Sequence, residues 1–340
     1  MAKSSDLRDV AAAARAVKRE LARARAVGVV THERPDGDAI GSIMALASIL
    51  KAAGHRAVAV CADDVPRRFA FLKGLKNIVR PPAVRRRPDL VFSLDATDPF
   101  RHGAARELVE AAERVIVIDH HPSNERFGDL NWVDSGACAV GEMIHTLAAR
   151  CAWRVPRDAA EALYVAIMTD TGRFTFSNTT AHSFAVASEL VAGGVDPGRV
   201  AEGVYSGRPL GEWELEARLR SSLRMEDGGR IATVELTIDD FRRTRTTPAA
   251  AQDFASLSRT LEGVKIGVFF YEIDGGRRTK VGLRSARGVD VNALAARFGG
   301  GGHTQASGCM IEGGLAEAKR VVLREAKKHL RARGPKRKRG

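Results

Sequence analysis

Residues 29–42 read VVTHERPDGDAIGS, a β-branched run, a short polar turn and the start of an apolar helical pattern. The turn itself is ordinary chemistry: Pro35 fixes φ and Gly37 tolerates unusual backbone angles. Asp38 suits the N-cap of a helix beginning at Ala39, accepting a bond from an early backbone N–H. A histidine and two aspartates, His32, Asp36 and Asp38, are nevertheless more than a turn requires. Their meaning depends on what the rest of the chain brings beside them.

Outward from this stretch, the first half alternates strand and helix patterns. RAVGVVT, RAVAVCA, PDLVFSLD and RVIVID are short apolar runs of the kind that a sheet covered on both faces requires. AIGSIMALASILKAAGH, AVGEMIHTLAAR and RDAAEALYVAIMTDTG carry helical spacing. This alternation predicts an α/β domain built on a parallel sheet. In such sheets ligands bind just beyond the carboxyl ends of the strands. There the sequence places His32, Asp36 and Asp38 after the first run, Asp95 in DATDPFRHG, and the triplet Asp119-His120-His121 after VIVI. Asp170, in TDTGRF, follows a helical pattern. Carboxylates gathered this closely repel and raise one another's pKa, and bound cations remove that cost. Oxygen and imidazole donors without a thiolate point to a hard or borderline divalent ion, Mn²⁺ first, with Mg²⁺ or Co²⁺ as alternatives. So many donors suit two ions roughly 3.5–4 Å apart sharing a carboxylate and a hydroxide.

The chain has 340 residues and a formal charge of +13. That length favours two domains. A first domain is expected over 1–195, opening with an N-terminal helix over 1–26, and a linker helix over 196–220. A smaller C-terminal α/β domain is expected over 221–330, with strands in RIATVELTI, VKIGVFFYEI and RTKVGLRSA, the last two joined by a hairpin turn at Asp274-Gly275-Gly276. The two domains are expected to face each other across a cleft. Residues 331–340, RARGPKRKRG, read as a solvated basic tail, and the basic balance suits an anionic partner. No apolar run approaches the roughly 20 residues of a membrane span, and the N-terminus lacks the apolar core of a signal peptide. The four cysteines form no CxxC pair, which fits buried thiols in a reducing cytoplasm.

Taken in order, HERPDGD, SLDATD, DHH and TDTGRF resemble the four motifs of the DHH phosphoesterase superfamily. GLRSARGVDVNALAARFGGGGHTQASG, residues 282–308, resembles its associated C-terminal domain, and the whole resemblance runs from about residue 27 to 310. Length and layout are most similar to the bifunctional oligoribonuclease/pAp phosphatases, the nanoRNases. The resemblance implies that His32 and Asp36 hold one Mn²⁺, that Asp38, His120 and Asp170 hold a second, and that Asp95 bridges both. It implies catalytic parts for Asp95, for Asp119 as the group orienting a histidine, and for His121 at the substrate or leaving group. On the C-terminal side it implies a substrate grip of Arg284, Ser285, Gly300, Gly301, Gly302 and His303. The glycine run alone also reads as a plain turn. Arg101 is a further substrate-binding candidate.

The implied activity is Mn²⁺-dependent hydrolysis of short RNA or DNA oligonucleotides to nucleoside 5′-monophosphates, with removal of the 3′-phosphate of adenosine 3′,5′-bisphosphate (pAp). Alternatives are a pApA or cyclic-dinucleotide phosphodiesterase, a RecJ-like single-strand exonuclease, and, in a different class, a non-catalytic nucleotide- or RNA-binding module. The expected setting is cytoplasmic, without membrane contact, with homodimerisation left open.

Overall fold

The computed structural model describes residues 5–332. They fall into two compact units that divide at Gly207 and Arg208.

The first unit is wound around a seven-stranded sheet. Its elements are β1 (Ser5–Asp6), α1 (Val10–Leu21), β2 (Val27–Val30), α2 (Gly37–Ala52), β3 (Ala57–Val60), β4 (Ile78–Val79), β5 (Leu90–Leu94), α3 (Arg106–Glu110), β6 (Arg114–Asp119) and β7 (Leu130–Val133), followed by helices α4 (Val140–Cys151), α5 (Arg157–Asp170), α6 (Ala181–Ala192) and α7 (Pro197–Tyr205). The strand order is β1-β7-β6-β5-β2-β3-β4, and every pairing is parallel. After β1 at the far edge, the chain crosses to β2, winds outward through β3 and β4, then returns through β5 to the other side. The seam between β2 and β5 is thus the point where the winding reverses, the usual place for a ligand crevice in an open α/β sheet.

Both faces of the sheet are covered, which explains the unbroken apolar strands. Val27, Val29, Phe92, Leu94, Ile116 and Ile118 face a core shared with α1, α2, α4 and α5. Val30, Val60 and Val91 face a smaller cluster with Ala105 and Val109. The four cysteines are all buried thiols. No helix among the described residues is long and apolar enough to cross a membrane.

The sequence reading differs from the structure at several places. The helix expected over 1–26 is confined, among the described residues, to Val10–Leu21, and the helix expected over 196–220 is broken after Tyr205. Helix α2 begins at Gly37, two residues before the expected start, so Asp36 is its N-cap, accepting the Ala39 N–H at 3.0 Å. Asp38 is therefore not the cap. Strands β1, β4 and β7 had no apolar run long enough to be seen. Residues 299–308 are a strand hairpin rather than a plain turn.

The second unit contains α8 (Leu210–Ser221), β8 (Arg224–Glu226), β9 (Ile231–Leu236), α9 (Ile238–Arg243), β10 (Ile266–Ile273), β11 (Arg278–Ser285), α10 (Asn292–Ala296), β12 (Gly301–His303), β13 (Ala306–Glu312) and α11 (Leu315–Ala332). Its sheet runs β12-β13-β11-β10-β9-β8, antiparallel except for the β9–β10 pair. Ile266, Val268, Phe270, Val281 and Leu283 pack under α11 through Val322 and Ala326. Val234, Phe269 and Tyr271 pack on the other face against Leu215 and Leu219 of α8. The expected basic tail lies, beyond Ala332, outside the described residues.

Helices α2 and α5 approach so closely that Gly41 has no room for a side chain: a Cβ there would lie 2.3 Å from the Ala162 carbonyl oxygen. A helical Gly→Ala change ordinarily stabilises by about 0.5–1 kcal/mol. Overpacking should reverse the sign here, so Gly41→Ala is expected to cost about 1–3 kcal/mol. Urea unfolding checks this, and a raised midpoint would show that the two helices can part freely.

Candidate metal centre

The carboxyl edge of the first sheet, on either side of the β2–β5 seam, collects eight of the residues singled out from the sequence. His32 follows β2, Asp36 and Asp38 open α2, Asp95 follows β5, Asp119, His120 and His121 end β6, and Asp170 ends α5.

Three overlapping groups of donor atoms can be traced there, one of them Asp95, Asp119, His120 and His121. His32, Asp36 and Asp95 form another, and Asp38, His120 and Asp170 form the third. The His32 Nδ1 lies 2.7 Å from the Glu33 carbonyl oxygen, so it carries the proton and turns Nε2 toward Asp95 Oδ2 at 3.5 Å and Asp36 Oδ1 at 4.0 Å. The His120 Nδ1 faces the Ala137 carbonyl at 3.2 Å. Its Nε2 lies 3.7 Å from Asp95 Oδ1, 3.8 Å from Asp170 Oδ2 and 3.9 Å from Asp38 Oδ2. These gaps are too long for hydrogen bonds. They match the spacing of two donor atoms that share a cation at about 2.1 Å.

Asp95 belongs to both surroundings. It is 4% exposed, and its Oδ1 accepts no hydrogen bond. It also sits at φ +57°, a left-handed conformation that a non-glycine residue holds only when its surroundings impose it. Burial pushes the Asp95 carboxyl well above its ordinary pKa, and the neighbouring charges of Asp38, Asp36, Asp119 and Asp170 push it further. Burial likewise raises Asp170 well above the ordinary value, with Asp38 and Asp36 adding to it, and raises Asp38. Burial lowers the His32 pKa, with Arg101 helping and Asp36 opposing, which favours the neutral imidazole that a metal needs. A buried acceptor without a donor, surrounded by imidazole nitrogens and by carboxylates of which Asp38 and Asp170 are held above their ordinary pKa, fits divalent cations.

The remaining acids of the cluster are satisfied by protein donors. Asp38 accepts the Val140 and Gly141 N–H groups at 2.7 and 3.0 Å and the Ser42 hydroxyl at 2.9 Å. It is thus bound to the N-terminus of α4 rather than capping α2. Asp119 accepts the His120 and His121 N–H groups, the His121 ring at 2.8 Å and the Asn124 amide at 2.6 Å. His121 is thereby held by Nδ1, with its side chain 22% exposed. Arg101 lies in the loop beside His32, where its carbonyl accepts the Glu33 N–H at 2.6 Å.

Three contributors escaped the sequence reading. His102, fully buried, joins the Thr31 carbonyl at 3.1 Å to the Ser93 hydroxyl at 3.0 Å, and so ties the ends of β2 and β5 together. Burial lowers its pKa to about 4. Asn124 braces Asp119, and Asn178 donates to the Cys138 and Asp170 carbonyls and to Asp170 Oδ2. The only sequence signal was their closeness to the acidic motifs.

The residues expected to grip substrate lie in the second unit. Arg284 on β11 pairs in register with Ala306 of β13, which pairs with His303 of β12. Directly paired antiparallel residues share a sheet face, so Arg284 and His303 project on one side with the small Ala306 between them. Ser285 donates to the Val289 carbonyl at 2.6 Å, fixing the turn after β11. A Cβ on Gly300 would lie 2.2 Å from the Gly308 carbonyl. Gly302 has φ +139°, and Gly301 and Gly302 continue the hairpin.

The DHH family, N-terminal domain, matches residues 26–167, and a DHHA1 domain matches residues 229–332. A bifunctional oligoribonuclease and PAP phosphatase of Thermus thermophilus is 33% identical over 309 residues, covering 90% of each chain. This chain belongs to the DHH family. Its namesake triplet is Asp119-His120-His121. A second relative, the Bacillus subtilis bifunctional oligoribonuclease and PAP phosphatase, is 29% identical and spans 82% of this chain and 87% of its own. Among solved structures, an exopolyphosphatase-related protein from Bacteroides fragilis superposes with a TM-score of 0.87 at 25% identity, covering 94% of this chain and 96% of that one.

The raised carboxyls make metal binding pH-dependent. Asp95, Asp170 and Asp38 have folded pKa values above the unfolded value of about 4. Without metal, they contribute stability that is complete below that value and is lost as pH rises through the raised values. A cation takes the place of those protons. The gain in Tm on replacing EDTA with Mn²⁺ should therefore grow as pH rises above the unfolded carboxylate value of about 4. A gain that stays constant as pH rises would show that these carboxyls are not the ligands.

Proposed function

We propose that this protein is a two-metal phosphoesterase that hydrolyses short oligonucleotides to nucleoside 5′-monophosphates and removes the 3′-phosphate of pAp. The observation that carries the reading is the place of Asp95, buried between two groups of imidazole and carboxylate donors. The full-length similarity to oligoribonuclease and PAP phosphatase relatives supports the substrate class.

In this reading His32, Asp36 and Asp95 hold one Mn²⁺, and Asp38, His120 and Asp170 hold the other with Asp95 in common. When bound, two such cations supply Lewis acidity and a hydroxide nucleophile near neutral pH. Asp119 accepts from His121 Nδ1, which leaves Nε2 to take up a proton and pass it to the leaving oxygen. Arg284 offers a planar fork to phosphate, with His303, Ser285 and the hairpin amides of residues 300–302 completing a grip on the nucleotide. Arg101 adds positive charge beside His32. The setting assigned is the cytoplasm, where the four buried thiols stay reduced.

The test compares Mn²⁺-dependent turnover of pAp, pApA, a cyclic dinucleotide, a long single strand and pyrophosphate. Turnover of pAp and pApA above the others is expected. Asp95→Ala should lower kcat at least about 10³-fold, whereas Arg284→Ala should lower kcat/KM about 10-fold or more with bound Mn²⁺ unchanged. Faster cleavage of the long strand than of pApA would replace this reading with a RecJ-like one. Normal activity of Asp95→Ala would end the two-metal assignment.

A further inference from the structure

The turn that follows Asp170 carries a device the metal ligands do not use. Arg173 and Phe174 both have left-handed backbones, with φ of +61° and +62°, two consecutive non-glycine residues in a region that disfavours them. Thr171 fixes the turn, its hydroxyl donating to the Ile167 carbonyl at 2.6 Å and accepting the Phe174 N–H at 3.1 Å. The turn delivers the Arg173 guanidinium onto the face of Tyr205, 4.2 Å from the ring centroid. Among the described residues no carboxylate pairs with Arg173.

A second guanidinium lies nearby: Arg68 stacks on Phe69, 4.9 Å from that ring's centroid. The charge of Arg68 acts on Tyr205 together with that of Arg173, and it also acts on Asp36 in the metal cluster. Arg68 is set by the turn Arg67–Phe69. The neighbouring Phe71 ring occupies the space that a side chain at Gly203 of α7 would need. The turns carrying Arg173 and Arg68 thus both bring positive charge to bear on Tyr205, and the Arg68 charge reaches Asp36 of the metal cluster as well.

A guanidinium braced by stacking keeps its outward N–H groups in a fixed fork suited to phosphate oxygens. Both substrates proposed above carry a phosphate that is not cut: the 5′-phosphate of pAp, and the terminal phosphate of a short oligonucleotide. We infer that Arg173, braced on Tyr205 and accompanied by Arg68, binds a non-scissile phosphate of the substrate. This rests on the phosphoesterase reading and adds a residue on the metal-bearing unit that selects for substrates with a second phosphate.

The experiment is steady-state kinetics of the full chain with Mn²⁺ on pAp and pApA, and on bis(4-nitrophenyl) phosphate, which has only the phosphate that is cut. Arg173→Ala should raise KM for pAp and pApA about tenfold or more, with kcat within about threefold and a much smaller KM change for the single-phosphate substrate. Arg173→Lys, which keeps the charge but loses the fork, should recover part of the loss. Arg320→Ala, an exposed arginine of the second unit paired with Glu317, is the charge-matched control and should behave as wild type. An unchanged KM for pAp in Arg173→Ala would overturn the inference. Equal losses on all three substrates, or loss of bound Mn²⁺, would also overturn it by showing a structural role. A wild-type protein inert on every substrate would instead bring down the phosphoesterase reading, and this inference with it.

Discussion

Carboxylates packed together away from water repel, and the first unit assembles its acids where that repulsion is greatest. Asp38, Asp95 and Asp119 are nearly or fully buried at one sheet edge. The fold answers the repulsion differently at each. Asp38 meets the amide groups that open α4, where the helix dipole favours negative charge. Asp119 is enclosed by four donors. Asp95 and Asp170 are the two whose carboxyls remain far above their ordinary pKa. What protein donors leave uncompensated is what a cation would complete.

The second unit sets cationic side chains in a row on one face of a sheet, and burial lowers the pKa of Arg284 there. Arg284 and His303 stand in one row across three strands, with Ala306 between them and Gly267 on the far side of Arg284. Gly267 is small because the chain packs over it: a Cβ there would lie 2.4 Å from the Ser258 hydroxyl oxygen. The glycines of the hairpin serve packing as well as conformation, because its backbone lies directly against β13.

The strands at the centre of the first sheet were legible because burial on both faces writes an unbroken apolar run, as in LVFSL and RVIVID. β7 was not, because Asn131 interrupts it, its side chain spent on the Gly128 backbone. The hairpin of β12 and β13 was hidden by glycines, which erase the alternation that marks a strand. At the site, the acids and histidines could be read from their places after strands. The partner of Asp38 could not, since Val140 lies 102 positions away in sequence. Nor could His102, whose role depends on β2 and β5 being neighbours, or the meeting of Arg173 with Tyr205, which tertiary packing alone creates.

The seam between β2 and β5 has one more consequence. Each proposed cation takes donors from both sides of it: His32 and Asp36 against Asp95 for one, Asp38 against His120 and Asp170 for the other. A cation held there would act as a rivet between two halves of the sheet, adding to the β2–β5 strand pair and the His102 bridge that already join them along this line. Loading would then lengthen the lifetime of the closed sheet, because separating β2 from β5 would require the ions to leave first. Metal supply would in this way govern how long the protein resists proteolysis, quite apart from whether it turns over substrate.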